Sequence, residues 1–186
     1  MTKELNGFIS NNDKEGSSMK HIIETIQYKL IYKVPELKYV DQDWGQMDFY
    51  SQPPVEFPCA LIDIQSVQYT NNGKFIQQGT ATIVILLFDS KISDGSEVAS
   101  VNQTEDAKKI WQLIEDVNKA IHGQAFLQEG YGFPMRTQMQ RTKRNESFYQ
   151  TELYYTVQFT DTTCEPEMTP VLSVKPELEI ANFKKS

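Results

Sequence analysis

Apolar residues recur at helical spacing from residue 18 onward, at Ile22, Ile23, Ile26, Leu30 and Ile31, with Ser17 or Ser18 placed to cap and Pro35 to end the run. This pattern predicts an amphipathic helix whose apolar face lies on a sheet. Residues 36–54, with Trp44, Phe49, Tyr50, Pro53 and Pro54, have the composition of a packed loop. Two β-rich runs follow, at 57–70 and 75–89, joined by Asn71, Asn72 and Gly73. Asn-Gly between such runs predicts a hairpin, because the favoured tight turn needs positive φ at both central residues. Residues 81–88 are apolar at nearly every position, so this strand is expected at the centre of the sheet and covered on both faces.

A polar stretch, 90–103, separates the hairpin from a second helical pattern. Asn102 and Glu105 have the spacing of a capping box, and Ala107, Ile110, Trp111, Ile114, Val117 and Ile121 define one face that stops at Gly123. Ile110, Trp111, Ile114 and Val117 are expected to be buried against the sheet. Beyond the glycines at 130 and 132, residues 135–144 and 148–160 read as a second hairpin, in which Leu153, Tyr155, Val157 and Phe159 alternate with Glu152, Tyr154, Thr156 and Gln158. The order helix, hairpin, helix, hairpin predicts an α+β domain, with a four-stranded antiparallel or mixed sheet and two packed helices. Residues 1–17 form a polar N-terminal arm, 18–161 the domain, and 162–186 an extended C-terminal arm. Pro166, Pro170 and Pro176 break regular structure in that last stretch, yet Val171, Leu172, Val174, Leu178, Ile180 and Phe183 are too apolar for a solvated linker. The arm is expected to dock on its own domain or on a neighbour, with Val171, Leu172, Leu178 and Phe183 as interface candidates.

Composition narrows the function. A chain of 186 residues can bury a core without metals or disulfides. The net charge of −7 argues against sequence-independent nucleic-acid binding as the main task, since that needs Lys and Arg over most of a face. The aromatic share of 11% is compatible with association surfaces. Cys59 lies in an apolar run and Cys164 in a polar one, which suggests no disulfide framework and a reducing compartment. The longest apolar run is too short to span a bilayer and the N-terminus has no leader pattern, so the chain is expected in the cytoplasm when made, with no membrane partner.

Candidate chemistry is sparse. His21 and His122 sit near the start and the end of the two helical patterns without a nucleophile or an orienting partner in any motif. Two Cys and two His at unrelated positions match no zinc spacing, and the Gly130–Gly132 stretch precedes a strand where a phosphate loop needs a helix. No catalytic, metal or cofactor site is therefore expected. The acidic pairs Glu105-Asp106 and Glu115-Asp116 read as solvated helix charges. One feature is less ordinary: Arg136, Arg141, Lys143 and Arg144 gather on a single expected strand. Such a stripe either protects a sheet edge from unwanted pairing or contacts an acidic neighbour or DNA. Asp94 and Glu97 in the polar loop, with Glu105 and Asp106 after it, are the candidate acidic partners.

Several segments resemble the tail terminator, or tail-completion, proteins of tailed bacteriophages. They are the first helix, the run Glu56-Phe57-Pro58-Cys59-Ala60-Leu61-Ile62-Asp63-Ile64, the strand containing residues 79–89, the helix with Ile110-Trp111-Gln112-Leu113-Ile114, and the closing strands with residues 136–141 and 154–160. The resemblance spans roughly residues 19 to 161 and consists of packing patterns. It implies a non-enzymatic virion protein: a homo-oligomeric ring of six or more subunits at the tail end or head-tail joint, made in the host cytoplasm, in contact with connector, neck or tail-tube proteins and with DNA passing through the lumen. The longer N-terminus and apolar C-terminal arm depart from the compact family pattern, which leaves open a neck or collar ring. A cellular protein-binding adaptor that uses the Tyr-rich last strand is the alternative.

Overall fold

The computed structural model describes residues 19–48, 52–90, 99–142 and 148–166, with side chains at all of these except Ser90 and residues 99–108. The elements run α1 (Met19–Lys33), β1 (Tyr39–Gln42), β2 (Cys59–Asn71), β3 (Gln77–Ser90), α2 (Ala99–Ile121), β4 (Met135–Thr142) and β5 (Phe148–Asp161). They form an α+β domain with a five-stranded mixed sheet of order β1-β2-β3-β5-β4. Both expected hairpins are present: β2 pairs antiparallel with β3, and β4 with β5. The expected four strands become five because Tyr39–Gln42 pairs parallel with the start of β2. This segment lies in the stretch read as a packed loop; four residues are too few for alternation to show, and its partner is about twenty residues further along the chain. Gln27 Nε2 donates to Val40 O (3.0 Å), which ties β1 to α1.

Both helices pack on one face. Ile22, Ile26, Leu30 and Val34 form the α1 row, Leu113, Ile114, Val117, Ala120 and Ile121 the α2 row, and all join one core with Ile83, Ile85, Leu153, Tyr155, Val157 and Phe159. The α1 row advances by four residues per step, so Ile31, about a third of a turn away from its centre, is 55% exposed instead of buried. Trp111 likewise departs from expectation at 45% exposed. It lies about a quarter turn or more from the line through Ile114, Val117 and Ile121, on the flank of the apolar face. α2 ends as expected, at Gly123 with φ +68°, and the Gly123 N–H donates to Pro134 O (2.8 Å). The capping residues proposed for α1 lie outside the described residues, and α2 begins before Asn102.

The centre of the sheet is β3, as its apolar run predicts. Ala81, Ile83, Ile85 and Leu87 face the helices, while Phe88 on the other side clusters with Cys59 and Leu61 beneath Met47, Val55 and Phe57. The hairpin turn differs from the expected tight turn. Residues 72–76 form a wider loop closed by Asn72 N–H to Ile76 O (2.9 Å), and Gly73 alone in it has positive φ. An irregularity between Ile64 and Ser66 inserts a residue into β2, so Ala60, Ile62 and Ile64 share a face with Val67 and Tyr69 beyond it.

Gly79 stands between Tyr69 on β2 and Phe159 on β5 in directly paired positions. With no side chain of its own, it lets the two rings meet edge to face above it, centroids 6.0 Å apart, and Phe159 also stacks on Tyr131 at 5.9 Å. A Cβ at Gly79 would collide with the Phe159 ring. Gly79→Ala is expected to destabilise the fold by about 1–3 kcal/mol, as overpacking does, measured by chemical denaturation. An unchanged midpoint would show that the rings move aside freely.

Burial, with the charge of Asp89 adding to it, pushes the Cys59 thiol from 9.0 up to about 12, against a partial offset from a hydrogen bond at the Phe88 backbone. Burial also raises the Tyr155 phenol, with a smaller opposing effect from Arg136. Because the folded value for Cys59 lies above the unfolded one, its contribution to stability is complete below about pH 9 and is lost as the pH rises towards 12. Stability should therefore decline above pH 9, with the Tyr155 phenol adding to the loss above its own ordinary value. Cys59→Ala should remove the first part of that decline, read from denaturation curves between pH 8 and 11. At pH 8 the exposed Cys164 should react with a thiol reagent at once and the buried Cys59 only on unfolding.

Candidate interaction surface

The strand expected to carry the basic stripe is β4, and among the described residues it lies at the end of the sheet, hydrogen-bonded to β5. Seven of its eight residues are exposed. Its register decides which side chains share a face. Arg136 pairs with Tyr155, Met139 with Leu153 and Arg141 with Thr151, all on the side that carries the helices; Gln138, Gln140 and Thr142 pair with Tyr154, Glu152 and Gln150 on the other side. In a regular strand Arg136 and Arg141, five residues apart, would face opposite ways. The irregularity at Thr137 changes the phase and puts both on one face.

The side chain of Arg141 sits over two rings, 5.5 Å from the centroid of Trp111 and 5.7 Å from that of Tyr149. The Trp111 that leaves the core thus becomes one wall of this surface, and Tyr149, 40% exposed, the other. Met139, 40% exposed, lies between the two arginines, whereas Met135, also exposed, pairs with Thr156 and lies on the opposite face of the strand. His122 anchors the start of the strand: its Nδ1 accepts the Arg136 backbone N–H at 2.9 Å, which defines the neutral tautomer with its proton on Nε2. The sequence reading of His122 as a helix-end residue omitted this contact. His21 is packed against Tyr131, ring centroids 5.4 Å apart.

The opposite face of β4 and β5 is polar. Glu152 accepts hydrogen bonds from Gln150 Nε2 (2.8 Å), Thr142 Oγ1 (2.9 Å) and the Tyr154 hydroxyl (2.6 Å). The bond to Glu152, with smaller effects of burial and the carboxylate charge, raises the Tyr154 phenol above its ordinary value. This network leaves Tyr154 tied down, and Tyr155 is fully buried. The Tyr-rich strand is therefore interior to the sheet and offers Tyr149 as its exposed tyrosine.

A second exposed apolar surface was not expected. Tyr28 and Tyr32 stack one turn apart on the outer face of α1 (centroids 6.5 Å, planes 3° apart), and both are more than half exposed, as is Ile31. Its sequence signal is the pair of tyrosines four apart on the side away from Ile22 and Ile26. Of the other expected interface residues, Lys143 and Arg144, Asp94 and Glu97, and Val171, Leu172, Leu178 and Phe183 lie outside the described residues. Glu105 and Asp106 fall within α2, but their side chains are likewise outside the description. Arg136 and Arg141 are thus the members of the set that the fold brings together. Among the described residues no helix is long and apolar enough to cross a membrane, and no group of three or more His, Cys, Asp and Glu side chains converges.

The Arg141-Trp111 contact is partly exposed, so its energy should be of the cation-π order, about 0.5–1 kcal/mol, well below the roughly 2–5 kcal/mol of a buried aliphatic side chain. A double-mutant cycle with Trp111→Ala and Arg141→Ala is expected to give a coupling of about that size. Trp111→Ala alone should cost much less than Ile114→Ala; equal losses would return Trp111 to the core.

No family model matches the chain, and no curated protein matches it in sequence, so the functional reading rests on its surface and edge geometry together with the sequence patterns above.

Proposed function

We propose that the protein is a non-enzymatic structural component of a tailed bacteriophage, forming a homo-oligomeric ring at the head-tail joint or tail end, as a tail terminator, tail-completion or neck ring. The carrying observation is the surface at β4, where Arg136 and Arg141 share one exposed face with Met139 and Trp111 on a molecule whose net charge is −7. A subunit with a positive apolar stripe and an acidic remainder can join head to tail with a second copy, and such heterologous contacts close into rings when the rotation allows. Aromatic residues and Arg are the side chains enriched in the cores of such contacts. The phage assignment itself rests on the sequence resemblance; the two helices on one face of a mixed sheet are compatible with it.

The adaptor alternative loses its proposed surface, since Tyr155 is buried and Tyr154 is held by Glu152. An adaptor would need another face, and the exposed Tyr28, Ile31 and Tyr32 on α1 are what favours keeping that reading.

Light scattering and electron micrographs of the purified chain distinguish the two: a closed ring with a central hole is expected, and a concentration-independent monomer would favour the adaptor. Reversal of Arg136, Arg141 and Arg144 to Glu should leave a folded monomer, and reversal of Asp94, Glu97, Glu105 and Asp106 to Lys in the same chain should partly restore assembly. Undiminished rings from the triple reversal would remove this contact and leave edge protection or a DNA-facing stripe, the latter marked by salt-dependent DNA binding.

A further inference from the structure

On the face of the sheet away from the helices, Gln150 stands between Phe148 and Glu152 along β5 and is paired across the sheet with Phe88 on β3 and Thr142 on β4. Phe148 packs on Phe57, ring centroids 4.9 Å apart, and Phe57 in turn lies against the cluster that contains Phe88. In this setting Gln150 is only 3% exposed. A buried amide depends on specific partners for its hydrogen bonds.

Half of that need is met. Gln150 Nε2 donates to Glu152 Oε1 at 2.8 Å. A carboxylate has no proton to give, so it fixes the amide with its nitrogen, and not its oxygen, on Glu152. The oxygen, Gln150 Oε1, is buried and accepts no hydrogen bond from the described residues. Glu152 has a related imbalance. Its three donors, Gln150 Nε2, Thr142 Oγ1 and the Tyr154 hydroxyl, are all neutral, and among the described residues no Lys or Arg pairs with it. Three bonds also leave the carboxylate with acceptor capacity to spare.

The two acceptors are close together. Gln150 Oε1 and Nε2 share one carbon through bonds of about 1.2 and 1.3 Å, which places Gln150 Oε1 within about 5.4 Å of Glu152 Oε1. One group with several N–H donors, each forming a bond of about 2.9 Å, spans such a separation. A neutral donor would satisfy the carbonyl and leave the carboxylate charge unanswered, whereas a cation answers both.

We infer that Gln150 Oε1 and Glu152 together bind a cationic N–H donor, an ammonium or guanidinium group. The site lies on the face opposite Arg136 and Arg141, and it does not depend on the ring reading, since one subunit contains both acceptors.

Methylguanidinium tests the inference on the full-length chain, because it keeps its charge where phenols titrate. Tetramethylammonium, with the same charge and no N–H, is the control. At neutral pH and concentrations that leave the protein folded, methylguanidinium should shift the Gln150 side-chain amide signals saturably in nuclear magnetic resonance spectra, and tetramethylammonium should not. The hydrogen bond to Glu152, burial and the carboxylate charge, in that order, raise the Tyr154 phenol. The bound cation should therefore move the Tyr154 midpoint back down. Gln150→Leu and Glu152→Gln should each weaken binding at least about tenfold. The wild-type comparison of the two cations decides the matter even where a variant fails to fold. Binding that appears only after Lys143→Ala/Arg144→Ala, which removes the cations nearest in sequence, would support the site and identify the chain itself as the source of its cation. The inference is overturned by equal responses to the two cations, by equal binding in folded Gln150→Leu and Glu152→Gln, or by no saturable shift in either the wild type or the Lys143→Ala/Arg144→Ala variant.

Discussion

The contact on which the rest of the structure depends is the one between the helix-facing rows of β3 and β5 and the apolar stripes of α1 and α2. Ile83 and Ile85 on β3 lie directly opposite Tyr155 and Leu153 on β5, and Ile22, Ile26, Ile114, Val117 and Ile121 close over them. Such a core is held by dispersion and the removal of apolar surface from water, so it constrains the side chains of four elements at once. The only polar group of Tyr155, the largest fully buried side chain here, reaches Asn118 Oδ1 at 3.3 Å, which fixes α2 against β5 at one rotation. That rotation also determines what α2 leaves outside. With Ile114 and Val117 turned inward, Trp111 must emerge at the side of the sheet where β4 runs, and there it meets Arg141.

Two irregularities in the strands give the sheet its working faces. The extra residue after Ile64 keeps the distal part of β2 in phase with the core, so that Tyr69 reaches Phe159 across Gly79. The one at Thr137 has the opposite significance, because it serves the surface. Without it, either Arg136 or Arg141 would belong to the polar face, beside the Glu152 network, where the carboxylate already accepts three hydrogen bonds. With it, one face of the edge strand is basic and apolar and the other is neutral to acidic. A domain polarised in this way has the asymmetry that the proposed head-to-tail contact requires.

The surface at β4 and the outer face of α1 are different kinds of surface. At β4 two guanidinium groups and a tryptophan meet on the helix-facing side of the strand, so charge and aromatic area act together there. On α1 the exposed Tyr28, Ile31 and Tyr32 offer flat apolar area on a rigid helix, with Lys33 5.0 Å above the Tyr32 ring. The two exposed surfaces thus occupy separate places on one small domain.

Periodicity alone determined both helices, both hairpins, the central position of β3 and the inward row Leu153, Tyr155, Val157 and Phe159, because a buried face imposes its repeat on the residues that form it. The end of α2 at Gly123 was legible for a similar local reason, the left-handed backbone that glycine adopts without strain. What depended on distant partners was not legible. β1 is a strand only because β2 lies beside it, and Trp111 and Ile31 sit at helix positions whose burial is decided by what packs against the flank. The Asn-Gly signal marked the place of the β2-β3 connection but not its width, which the register of the long strands decided. The basic residues could be counted in the sequence, but their common face could not be seen. An alternating pattern assumes a regular strand, and the break at Thr137 exists only in the pairing with β5.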